Sequence, residues 1–98
     1  MPQPAEVVGI PWYLEPDYPG ILNVMEDSGD MPDSFERWLG DAEAEERRLK
    51  SSGRAVARAV IDPFEFTIWC RDEGLKPDAA ARSRFAAWVA AHQAKGDY

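Results

Sequence analysis

The sequence predicts a mainly α fold, about four helices with one principal short β-strand, and three observations carry it. Apolar residues recur at helical spacing over most of the chain. Helix caps stand ahead of such stretches at Asp17, Asp62 and Asp78. Only residues 54–61, RAVARAVI, alternate as a strand does between two kinds of side chain. Ninety-eight residues suit one small domain with a modest core. It divides into an extended N-terminal arm (1–15), an acidic helical part (16–53) and a strand-helix-helix part (54–94), with fraying expected at 1–4 and 95–98.

The arm contains AEVVGIPWYL at 5–14. Pro11 holds Ile10 in the extended region, and Val7-Val8 can form a short strand. Trp12 and Tyr13 either anchor the arm on the helices or present a contact to a partner. Asp17 then caps a short helix to about Glu26, with Tyr18, Ile21, Leu22 and Met25 on one face. The link DSGDMPDS, with Gly29 and Pro32, ends it.

The next helix runs from Ser34 to about Ser51. Phe35, Trp38, Leu39, Ala42 and Leu49 form its apolar stripe, and acidic and basic residues cover the rest. Gly40 in its middle suggests a kink or close packing, and Gly53 stops it. The strand at about 54–61 has Ala55, Ala57, Ala59 and Ile61 on one face and Arg54, Val56, Arg58 and Val60 on the other. Asp62-Pro63-Phe64-Glu65 opens the third helix with a cap, a proline at the first position and a capping box, and Ile61 with Phe66 makes a hydrophobic staple. Gly74 ends it. Asp78 caps the last helix, to about Ala94, with the stripe Ala81, Phe85, Trp88, Val89 and His92. The expected core is Trp38, Phe66, Trp69, Phe85 and Trp88.

One strand cannot satisfy its own backbone, so it pairs across a homodimer or with the N-terminal arm near Val7-Val8. A homodimer is the favoured expectation, with Arg54, Val56, Arg58 and Val60 as the self-association strand.

The net charge of −7 is uneven: residues 1–50 carry −8 and residues 51–98 carry +1. Such an acidic first half argues against nucleic acid as a partner, and it either solubilises the chain or offers Glu43, Glu45 and Glu46, with Trp12 and Tyr13, to a basic protein. No apolar run approaches the roughly 20 residues a membrane helix needs. The Pro-rich start does not read as a signal peptide, and the single Cys70 excludes an intrachain disulfide, so a cytoplasmic setting is expected. His92 and Cys70, one of each, give no metal-ligand spacing. No phosphate loop or nucleophile elbow is present. The expectation is a non-enzymatic protein-interaction or assembly protein with no catalytic residues, no cofactor and no metal.

From Ala55 to about His92 the layout resembles a ribbon-helix-helix unit, through the strand, the Asp62-Pro63-Phe64-Glu65 start, Gly74, Asp78, and Arg82, Phe85 and Trp88. That resemblance implies an intersubunit ribbon and a DNA-binding regulator reading bases with Arg54, Val56 and Arg58. The acidic charge and the 50 residues ahead of the strand depart from that family's pattern. More of the chain resembles a group of small bacterial proteins of unknown function, through GIPWY at 9–13, the WL-x-x-AE-like Trp38–Glu43, and the IDP-x-x-F-x-x-WC-like Ile61–Cys70. It implies a bacterial cytosolic origin and the helical layout. A third alternative, an acidic phage-type inhibitor mimicking nucleic acid, shares the same charge.

Overall fold

The computed structural model describes residues 7–94, with side chains as far as His92. The fraying expected at 1–4 and 95–98 therefore lies outside the described residues. Four helices and two strands follow in the order β1 (Val7–Trp12), α1 (Tyr18–Val24), α2 (Phe35–Ser51), β2 (Ala55–Val60), α3 (Pro63–Glu73) and α4 (Ala79–Ala94). Short 3-10 turns occupy Glu15–Asp17 and Ser28–Asp30. The fold is mainly α, as its sequence predicts.

Of the two pairings open to the principal strand, the structure shows the one with the arm. β2 lies parallel to β1, with Val7 opposite Ala55 and Trp12 opposite Val60. Parallel neighbours need a long crossover, and α1 and α2 supply it. The Ile61 N–H donates to the Trp12 carbonyl at 2.9 Å. Backbone groups alternate along a strand, so Val8, Ile10 and Trp12 turn theirs towards β2, whereas Val7, Gly9 and Pro11 turn outward. Pro11 thus loses no ladder bond, which is why a proline is tolerated inside this strand.

Each sheet face carries a helix. On one, α2 packs Trp38, Leu39, Ala42 and Leu49 against Val8, Ile10, Trp12 and Val56. On the other, α4 comes so close that a Cβ on Gly9 would stand 2.0 Å from the Ala86 carbonyl oxygen and 3.1 Å from the Ala90 Cβ. Ala57, Ala59, Ala86 and Ala90 are buried along this side. The expected α4 stripe is therefore corrected. Ala81, Arg82, Ala86 and Ala90 face inward, Phe85 and Val89 are half-buried, and Trp88 (49% exposed) and His92 lie outside. Small residues win the inner face because the sheet sits too near for an indole. A second cluster joins Tyr13, Tyr18, Ile21, Met25, Ile61, Phe66, Cys70 and Ala81, with Trp38, Trp69 and Phe85 packed at its margin.

Most of the expected punctuation forms. Ser34 Oγ accepts from the Arg37 N–H, Asp62 from Glu65 and Asp78 from Ala81, at 2.9–3.2 Å. Gly74 ends α3 at φ 72°, the left-handed conformation that favours glycine. Ile61 and Phe66 are both buried, as a staple requires. Asp17 does not cap with its side chain; α1 continues from the preceding 3-10 turn and stops at Val24. Gly40 has open space where its Cβ would be, so neither helix nor sheet packs closely on it.

Candidate functional site

The outward edge of β1 is not paired with any strand among the described residues. It forms the floor of a cleft of about 580 Å³, lined by Val8, Gly9, Ile10 and Pro11. One wall is α2, contributing Trp38, Asp41, Ala42, Glu45 and Leu49. The other is the turn Asp27–Pro32 together with Arg82 and Ser83 of α4. The β1 edge thus lies between α2 on one side and α4 with the Asp27–Pro32 turn on the other.

Among the described residues the cleft carries four carboxylates, Asp27, Asp30, Asp41 and Glu45, against one cation, Arg82. Arg82 is buried and bonds Asp27 through both guanidinium arms at 2.8 Å. Those bonds hold the Asp27 carboxyl below the usual carboxylate range and raise Arg82 further. Burial pushes the Tyr13 phenol up to about 12, and the nearby Arg82 opposes only part of that rise. Glu45 pairs with Arg48 on the surface, through Arg48 Nε at 3.1 Å and Nη2. Asp30 and Asp41 make no ion pair among the described residues. The slot is therefore acidic, with one closed buried pair at its side and free or weakly held carboxylates at its rim.

The residues singled out from sequence fall in different places. Trp12 and Tyr13 are buried anchors of the arm, and Tyr13 also lines the cleft. Trp12 meets Trp38 edge-on at 5.1 Å, and Tyr13 lies 4.7 Å from the same indole. Glu43, Glu45 and Glu46 do not form one acidic face. Glu46 is buried and takes both arms of Arg58 at 2.8 Å, because its turn of α2 faces the sheet. Arg58 also lies 3.9 Å above the Trp12 ring. Glu43 is half-buried, and only Glu45 reaches the cleft. Its partner there is Asp41, one helical turn earlier, which was legible as an i, i+4 pair on α2.

On β2, Val56, Arg58 and Val60 turn their backbone groups away from β1. Arg54 precedes the strand and is exposed, Val56 packs on α2, and Val60 is 47% exposed. β2 is paired in parallel inside the chain and Arg58 is held by Glu46 and Trp12, an arrangement that differs from the free two-stranded ribbon a ribbon-helix-helix resemblance implies. Beside Val60, a smaller groove of about 310 Å³ is walled by Trp69, Phe85 and Trp88. Cys70 is buried, which pushes its thiol up and leaves it protonated.

Residues 21–98 match a domain of unknown function, DUF8829. The chain belongs to that family. No curated protein and no solved structure matches it. The DUF8829 match contains both walls of the cleft and β2, whereas β1, the cleft floor, precedes it. Membership of DUF8829 accords with the resemblance to proteins of unknown function and leaves the activity to the geometry. No described helix is long and apolar enough to cross a membrane.

Proposed function

We propose that the chain is a non-enzymatic interaction module that captures a basic, extended segment of a partner protein along the outer edge of β1. The observation that carries this reading is a strand edge, paired with no other described strand, on the floor of an acid-rimmed cleft between two helices. Exposed edge N–H and C=O groups recruit a further strand, with backbone bonds supplying affinity and side-chain surroundings supplying selectivity. Each new backbone bond contributes about 1 kcal/mol net and each rim ion pair about 0.2–1 kcal/mol. Against the cost of ordering a short segment, that sum supports affinities of about micromolar order. Binding fits the cleft better than catalysis: Asp27 is closed on Arg82, and Tyr13 keeps its proton well above neutral pH. The lone cysteine and the bacterial resemblance support a cytoplasmic setting.

Two-dimensional amide NMR with a lysine-rich seven-residue peptide tests it. The Gly9 and Ser83 amides are expected to shift, and Ser83→Trp, which fills one wall from an exposed position, is expected to abolish the effect. A peptide that perturbs no cleft amide ends the reading.

A second reading rests on the other edge. Among the described residues no strand pairs with the outer side of β2 at Val56, Arg58 and Val60, and exposed Val60 and Trp88 flank the aromatic groove beside it. Two copies joined there would form a continuous four-stranded sheet about a two-fold axis. Light scattering over a dilution series tests this: a dimer that Val60→Lys converts to monomer supports it, and a monomeric mass at every concentration removes it.

A further inference from the structure

We infer that the slot selects an alternating basic segment, Lys/Arg-x-Lys/Arg, in which both basic side chains face α2. This inference rests on the capture reading above and adds to it a rule of sequence. Asp41 and Glu45 both line the α2 wall and stand four residues apart. At 1.5 Å per residue that is about 6 Å along the helix. Residues two apart in a strand lie on one face about 6.6 Å from each other. The two repeats therefore match only if helix and guest strand run side by side.

They do. Trp38, near the start of α2, packs on Trp12 at the end of β1. Leu49, near the end of α2, accepts the Arg54 N–H beside the start of β2, level with Val7 in the register. So α2 runs antiparallel to β1, and a strand added to the β1 edge passes Asp41 and Glu45 in succession. Adjacent basic residues would split between the two walls, so that one of Asp41 and Glu45 receives no guest cation and the second cation has only Asp30 to meet. The Glu45–Arg48 pair is exposed on both sides, so an incoming cation displaces Arg48 at little cost.

The opposite wall bears on the middle position. It is formed by Asp27, Asp30, Met31, Pro32, Arg82 and Ser83, with Asp27 closed on Arg82, so an uncharged residue fits and an acidic one is repelled by Asp30. Backbone recognition is short here. Pro11 has no N–H, which leaves Gly9 with both groups and Pro11 with its carbonyl as the central outward contacts. With few main-chain bonds available, the spacing of side chains decides which segment binds.

The experiment uses the full chain and three peptides, TVKVKVT, TVKKVVT and TVEVEVT, followed by fluorescence anisotropy at low salt. The first two have identical composition and differ only in spacing. TVKVKVT is expected to bind about two- to fivefold more tightly than TVKKVVT. Asp41→Asn and Glu45→Gln should each erode that preference, and the D41K/E45K double variant should prefer TVEVEVT. Equal binding of the two lysine peptides overturns the spacing rule while basic capture stands. Failure of all three to bind overturns both.

Discussion

The two faces of the sheet solve the same packing problem in opposite ways. Towards α2 the strands present Val8, Ile10, Trp12, Val56 and Arg58, and the helix answers with large side chains and the Glu46 carboxylate. Towards α4 they present Gly9, Ala57 and Ala59, and the helix answers with Ala86 and Ala90 at backbone distance. One face is held by interlocked aromatic area and a charged clamp, the other by the absence of side-chain volume. The first tolerates adjustment because long side chains can shift; the second does not, because the nearest atom is a carbonyl oxygen. A half-exposed ion pair and a glycine are thus both structural here, and they should fail by very different amounts.

The largest effect is expected on the close face. Gly9→Val must push α4 off the sheet, costing at least about 3 kcal/mol, read by urea denaturation. A variant as stable as the parent would mean that α4 is not seated on Gly9. Next comes Arg82→Ala, which strands Asp27 beside the buried Tyr13 and should cost about 2–3 kcal/mol. The Asp27 pKa is lowered in the fold, so its contribution is full above the ordinary carboxylate pKa near 4 and is lost as pH falls through its lowered value. Asp27→Asn should remove that part of the acid limb, seen as a smaller difference between the urea midpoints at pH 7 and pH 3. On the interlocked face, Arg58→Ala gives up a clamp and a cation–π contact that solvent already screens, for about 1–2 kcal/mol. A loss as large as that at Gly9 would erase the contrast between the faces. The smallest effect is a gain: Gly40→Ala meets open space in the middle of α2 and should stabilise by about 0.5–1 kcal/mol, measured as a raised Tm.

How much of this was legible follows from distance along the chain. The helix starts at Ser34, Asp62 and Asp78 and the stop at Gly74 were readable because a cap is a bond between residues three or four apart. The faces of β2 were readable from alternation alone. Its partner was not, since nothing in Ala55–Val60 distinguishes a neighbour from this chain and one from a twin. The inner face of α4 was misread towards Trp88 because apolar periodicity follows large side chains, whereas Gly9, Ala86 and Ala90 carry the contact by being small. Glu43, Glu45 and Glu46 looked like one acidic surface because they are close in sequence; the helix sends Glu46 to the sheet and brings Asp41 to Glu45 instead. The remaining members of the cleft, Asp27, Asp30 and Arg82, come from a turn and a helix some fifty residues apart, and only the fold brings them together.

Pro11 sets a limit on growth. A strand rim whose last outward residue has no N–H to donate makes a poorer seed for ribbons stacking copy upon copy.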